Sequence, residues 1–160
     1  MRIGVISDTH IPNRAKDIPE AVCKDFKEVD LILHVGDFVD ISVLEKLKTF
    51  APVKAVVGNM DYPEVVNALP KKDVVKINNF KIALIHGYGA PIGLQERIRK
   101  EFKDKPDIIV YGHSHKPVNE TRDGILFFNP GSATDKIFSP FNSYGIIEIN
   151  DKIEAKIIKL

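Results

Sequence analysis

Ile3-Gly4-Val5-Ile6-Ser7-Asp8-Thr9-His10 opens the chain with an apolar run that breaks off in an acid and a histidine. The run lacks polar alternation, the pattern of a strand buried on both faces of a parallel sheet, so it is expected at a sheet centre. Two further runs end alike: residues 31–35 stop at Gly36-Asp37-Phe38, and residues 53–57 stop at Gly58-Asn59-Met60-Asp61. Between them the spacing predicts two helices. One is opened by Pro19 and runs to about Glu28, with Val22, Phe26 and Val29 at helical intervals; the other spans 41–50, with Val43, Leu44 and Leu47 on one face and Pro52 beyond its end. Strands alternating with helices imply right-handed crossovers and parallel pairing.

The second half changes rhythm. Residues 73–77 and 80–85 flank Asn78-Asn79, a pair that tolerates the positive φ of a tight turn, and so predict a hairpin. A helix over about 91–102 leads to a strand at 107–111, and strands are then expected at 117–121, 125–129, 144–149 and 152–158. No repeat, low-complexity tract or linker divides the chain. Residues 1–160 therefore read as a single domain of the α/β class, a four-layer αββα sandwich of two mixed β-sheets flanked by helices.

A chain of 160 residues buries roughly two-thirds of its extended surface, so a metal is not needed merely to fold it. The balance of 23 basic against 22 acidic residues gives no footprint for dedicated nucleic-acid binding, and the expected substrate is small. Arg97, Arg99, Lys100, Lys103 and Lys105 read as a solvated helix face with a basic C-terminal end. Cys23, alone, is expected to be a core or half-buried inert thiol. No apolar run approaches membrane-spanning length, and a soluble, cytoplasmic protein is the expectation. Its 18 lysines, single glutamine and lack of tryptophan lean toward a heat-adapted composition.

Chemistry gathers where apolar runs end. Tyr111-Gly112-His113-Ser114-His115 places two imidazoles two residues apart, a spacing that projects both to one side of an extended segment. Listing the polar residues after each run gives Asp8, His10, Asp37, Asn59, His86, His113 and His115. In open α/β sheets ligands sit beyond the carboxyl ends of the strands, so these seven are expected to share one pocket. Imidazole, carboxylate and amide oxygen suit manganese, iron, nickel or zinc, and seven ligands fit two ions sharing a carboxylate better than one. His34 lies inside its run and is not expected to ligate.

In this order, Asp8-x-His10, Gly36-Asp37, Gly58-Asn59, His86 and Gly112-His113-x-His115 resemble the calcineurin-like metallophosphoesterase superfamily. Asp8-Thr9-His10-Ile11-Pro12-x-Arg14, Leu84-Ile85-His86-Gly87 and Asn129-Pro130-Gly131-Ser132-Ala133-Thr134 are similar to its small branch of bacterial and archaeal phosphodiesterases and to the retromer subunit of like fold. The resemblance implies two divalent transition-metal ions, Mn2+ first and Ni2+, Fe2+ or Zn2+ as alternatives. One would lie on Asp8, His10, Asp37 and His115, the other on Asp37, Asn59, His86 and His113, with Asp37 bridging. It further implies in-line attack on a phosphodiester by hydroxide from a water shared between ions about 3.5 to 4 Å apart. Catalytic roles then fall to Asp37 and Asn59.

One position departs from the pattern. Larger members carry histidine after the asparagine; this chain has Met60, and losing a general acid typically costs roughly a hundredfold to ten-thousandfold when the leaving group needs a proton. Small-branch members commonly lack that histidine and favour diesters, so weak monoester activity is expected. Asp61 either substitutes in part as an acid or orients Asn59. Arg14 reads as a phosphate contact or a loop salt bridge, and the 129–134 segment as a rim loop where Asn129 or backbone donors meet substrate phosphate, or as a structural turn.

The rival from another class is a non-catalytic scaffold like the retromer subunit, which has asparagine where this chain has Asp37. Two motifs mislead. Gly87-Tyr88-Gly89-Ala90-Pro91-Ile92-Gly93 has one residue too many for a dinucleotide loop, and Ser114 lacks the GxSxG elbow. A DNA nuclease would want a basic groove or capping domain, and charge and length supply neither. The natural substrate and the oligomeric state, a homo-oligomer included, stay open at this level.

Overall fold

The computed structural model describes all residues from Met1 to Leu160. Strand β1 (Arg2–Ile6) is followed by α1 (Glu20–Phe26), β2 (Leu31–His34), α2 (Ile41–Lys48), β3 (Val53–Ala55) and α3 (Pro63–Ala68). Then come β4 (Lys72–Ile77), β5 (Phe80–Ile85), α4 (Leu94–Lys100), β6 (Ile108–Tyr111), β7 (Val118–Arg122), β8 (Ile125–Asn129), β9 (Ser143–Ile149) and β10 (Ile153–Lys159). They form two mixed sheets of five strands, ordered β10-β9-β1-β2-β3 and β4-β5-β6-β8-β7.

β1 is central, as its uniform apolarity demands. It pairs parallel to β2, with Ile3 opposite Leu31, and antiparallel to β9, with Ile3 opposite Ile147. Successive side chains alternate between two packed interfaces. Ile3, Val5, Leu31 and Leu33 point to the other sheet, where Ile82, Leu84, Ile108, Val110 and Phe128 meet them. Ile6 and Ile32 point outward to α1 and α2, against Val22, Phe26, Val43, Leu44 and Leu47. The second sheet covers its far face with α4 through Ala83, Ile85, Ile109, Leu94 and Ile98. Burying each such aliphatic side chain contributes about 1.5 to 3 kcal/mol, which is why strands with no polar face are tolerated here.

Three differences from the sequence expectations have physical causes. The helix expected over 91–102 starts only at Leu94, because Gly93 adopts a left-handed φ of 71° and turns the chain at the helix entry. Its basic face is not simply solvated: Arg97 donates to the carbonyls of Tyr88, Ala90 and Ile92, and Arg99 to that of Phe102 at 2.8 Å. Helix α3 was not expected from the pattern, although Pro63 in its first turn and the following Glu64 are favourable helix-start residues. Cys23 is half-buried, and burial pushes its thiol pKa up, as an inert thiol requires.

Candidate metal centre

The strand ends set the site. Loops after β1 and β2 run side by side, Asp8 N–H donating to Gly36 O at 3.0 Å, His10 N–H to Asp37 O at 2.9 Å and Ile11 N–H to Phe38 O at 3.0 Å. Across the sandwich Gly112 N–H donates to His86 O at 3.0 Å, which brings the loops after β5 and β6 together. The glycines of these motifs are needed for clearance: a Cβ on Gly58 would lie 2.2 Å from Asp37 Oδ1, and one on Gly112 would lie 2.7 Å from Asp8 Oδ2. Asp8, His10, Asp37, His113 and His115 all have positive φ, between 44° and 68°. A left-handed backbone costs an L-residue roughly 1 to 2 kcal/mol, so five such residues at one point mark a strained site held together by its surroundings.

All seven side chains singled out from the sequence converge. His115 Nε2 lies 3.2 Å from Asp8 Oδ1 and 3.2 Å from His10 Nε2, which is 3.6 Å from Asp37 Oδ2. On the other side of Asp37, His86 Nε2 lies 3.4 Å from the same Oδ2 and 3.1 Å from Asn59 Oδ1, and His113 Nδ1 is 3.0 Å from that amide oxygen. Asp8, His10, Asp37 and His115 each bring one ligand atom within 4.8 Å of all the others.

The hydrogen bonds on the outer nitrogens decide what these atoms are. His86 Nδ1–H donates to Val35 O at 2.7 Å, His113 Nε2–H to Gly89 O at 2.8 Å, and His115 Nδ1–H to the Asp135 carboxylate. A carbonyl oxygen only accepts, so each of these rings in its neutral form turns a lone pair inward, onto carboxylate, amide oxygen or another imidazole. Lone pairs facing lone pairs repel unless a proton or a cation lies among them. Separations of 3.0 to 3.6 Å fit a cation, because ligands about 2.1 Å from one ion sit roughly 3.0 to 3.4 Å apart. The donor set therefore fits divalent metal.

Without metal, protons take that place. Burial opposes charge on His86, but its hydrogen bond to Asp37 and the charges of Asp8 and Asp37 prevail and raise its pKa to about 9. Burial likewise works against the Asp37 carboxylate, yet His86 and the Met60 N–H hold its pKa at about 2. Burial lowers the pKa of His10; for His115 burial is outweighed by Asp8 and Asp135, and the pKa rises. His34 stays outside the cluster, its Nε2 3.2 Å from Thr9 Oγ1 and its Nδ1 accepting from Gly36 N–H at 3.2 Å. Full burial keeps it neutral, its pKa well below the usual value.

Above the cluster lies a cavity of about 640 Å³ whose floor includes His10, Asp37, Asn59, His113 and His115, with Arg14, Met60, Lys116 and Phe138 on its walls. Arg14 forms no ion pair and stands 5.7 Å from the Phe138 ring centre, in the wall where a phosphate contact needs it. Two expected roles are corrected. Asp61 accepts from Val39 N–H and Gly58 N–H, both at 2.7 Å, and does not line the cavity, so although burial raises its pKa it fixes the turn that carries Asn59 and does not reach a leaving group. Asn129 is fully buried, donating to Gly112 O at 2.9 Å and accepting from Gly131 N–H at 2.9 Å, so it braces the turn before His113 and cannot touch substrate.

The loop after Asn129 is likewise interior rather than at the rim. Ser132 Oγ donates to Asp8 O and Thr134 Oγ1 to Thr9 O, each at 2.6 Å. Asp135, which sequence reasoning passed over, completes that loop beneath His115. It lies deep in the loop between β8 and β9, not where an apolar run stops, and so the rule that found the other acids does not reach it.

A phosphoesterase family model, described as the calcineurin-like phosphoesterase superfamily domain, matches residues 1–152. The chain belongs to that superfamily. Among its relatives, a probable metallophosphoesterase of Methanocaldococcus jannaschii is 44% identical over 163 residues, covering 100% of this chain and 82% of the relative. A phosphodiesterase of the same organism is 28% identical over 172 residues, covering 99% of each. Among solved structures, zinc-complexed Vps29 of Entamoeba histolytica superposes with a TM-score of 0.78 at 27% identity, covering 99% of both chains. The chain thus shares its fold with a vacuolar sorting protein and with a protein described as an archaeal phosphodiesterase, which is 27% identical at a TM-score of 0.78.

Proposed function

We propose that this chain is a dinuclear metal-dependent phosphodiesterase, weak on monoesters, acting on a small phosphodiester in the cytoplasm. The observation that carries the reading is the inward ring of lone pairs divided by Asp37, whose Oδ2 lies 3.6 Å from His10 Nε2 and 3.4 Å from His86 Nε2. Asp8, His10, Asp37 and His115 would hold one ion, and Asp37, Asn59, His86 and His113 the other, with Mn2+ the first candidate and Ni2+, Fe2+ and Zn2+ the alternatives. When bound, such a pair supplies charge to phosphate oxygens and lowers the pKa of water between the ions toward neutrality.

The chain's own residues set what that chemistry acts on. Arg14 and Lys116 give the cavity cationic walls for an anionic ester. Met60 puts a half-exposed thioether, not an acid, in the wall, while its N–H donates to Asp37 Oδ1 at 2.8 Å. Among the cavity's titratable groups, those outside the proposed ligand set are the cations Arg14 and Lys116. Outside the proposed ligand set the cavity holds no imidazole or carboxylic acid to protonate a poor leaving group, which favours esters whose leaving group needs little help. The 28% identical phosphodiesterase relative supports the same preference.

The Vps29 likeness supports the rival reading, a scaffold whose metal cluster does no chemistry. Reconstituting metal-stripped protein with single divalent ions and comparing an aryl phosphodiester with the aryl monoester separates the two. Diester turnover well above monoester is expected; bound metal with no turnover under any ion would establish the scaffold.

A further inference from the structure

We propose that Asp135 is a positioning residue that holds His115 in its ligating form and, with the same carboxylate, seats Phe138 in the cavity wall. The inference rests on the metal reading of the cluster only for its first half.

Asp135 is fully buried, yet no lysine or arginine pairs with it. Three N–H donors converge on its two oxygens instead. Oδ1 accepts from Ile137 N–H at 2.9 Å, while Oδ2 accepts from Phe138 N–H at 3.3 Å and from His115 Nδ1–H. Its backbone is pinned from both sides, Asp135 N–H donating to Ser132 Oγ at 3.0 Å and its carbonyl accepting from Asn142 Nδ2 at 2.7 Å. Ser132 in turn holds the carbonyl of Asp8 at 2.6 Å. The carboxylate is thus fixed to the loop that carries the ligand opposite His115.

This geometry has two consequences. With its proton on Nδ1, His115 directs the Nε2 lone pair at the position between Asp8 and His10; with the proton on Nε2 it could ligate nothing there. A carboxylate behind a histidine also strengthens it as a metal ligand. The second consequence is the wall: the Ile137–Phe138 turn exists because Asp135 accepts both N–H groups, and it sets the Phe138 ring edge-on to His115, centres 6.2 Å apart, and beneath Arg14. An amide of the same shape cannot do both, since it offers one acceptor atom where three donors need two.

The test titrates metal-stripped wild type, Asp135→Asn and Phe138→Ala with Mn2+ by calorimetry and records 15N shifts of His115 in the metal-free proteins. Wild type is expected to show a protonated Nδ1. In Asp135→Asn the shifts should move toward the other tautomer, and one equivalent of Mn2+ should bind roughly 10- to 100-fold more weakly while the second is little changed. Phe138→Ala, which leaves the carboxylate in place, should bind both equivalents as wild type does and raise KM without changing kcat. A bare Nδ1 in wild type overturns the proposal even if the asparagine variant does not fold, as does wild-type affinity for both equivalents in a folded Asp135→Asn. If wild type takes up no Mn2+, the metal reading fails, and the 15N shifts still decide the hold of Asp135 on His115.

Discussion

At the scale of single residues, Asp37 carries the most. It is 2% exposed and touches both halves of the ligand set, so replacing its charge by a neutral amide removes the only anion common to them. Asp37→Asn is expected to abolish diester hydrolysis while circular dichroism shows the fold intact; retained turnover would refute its bridging role. Met60→His restores an imidazole to the cavity wall and should raise monoester relative to diester turnover, a ratio read directly in parallel assays. His86 gives the sign of the pH dependence. Its pKa of about 9 in the metal-free chain exceeds the unfolded value of 6.5, so its contribution to metal-free stability is full below pH 6.5 and is lost as pH rises through 9. Metal must expel that proton, so Mn2+ affinity should rise with pH over the same window, with proton release measurable in buffers of different ionisation enthalpy.

The seven convergent residues were legible because each is a metal-binding type placed where an apolar run stops. Direction was not legible. Asp61 lies in the loop after β3 and Asn129 ends β8, but their side chains turn back to backbone N–H and carbonyl groups, a choice made by loop geometry that residue type does not encode.

At the scale of elements, the loops do more than connect. The 87–93 segment, which imitates a dinucleotide loop in sequence, is tied down by Arg97 of α4 and offers Gly89 O to His113 Nε2 at 2.8 Å. Arg97→Ala should speed amide exchange across this loop and weaken Mn2+ binding several-fold, while global stability falls by no more than about 1 kcal/mol, as expected of a half-buried side chain outside the core. Loss of the whole transition at room temperature would show instead that the arginine is a general structural support. The strands were readable because their burial leaves uniform apolar runs; α3, six residues long with only Val65 buried, has too short a periodic pattern to stand out from a loop.

At the scale of the whole molecule, two sheets stacked through Ile3, Val5, Leu84, Val110 and Phe128 aim their strand ends at one rim, and the ligand set comes from both. Metal bound across that rim links the sheets, and ligand at a hundredfold excess over Kd stabilises the native state by about 2.7 kcal/mol. Chelation should therefore lower the thermal midpoint by several degrees, and metal should restore it. No helix is long and apolar enough to cross a membrane. The most direct measurement is the rate of aryl phosphodiester hydrolysis as metal-stripped protein is titrated with Mn2+. The rate should stay near zero through the first equivalent and rise to a plateau at the second. Full turnover at one equivalent would contradict the two-ion centre, and none at any loading would contradict the hydrolase.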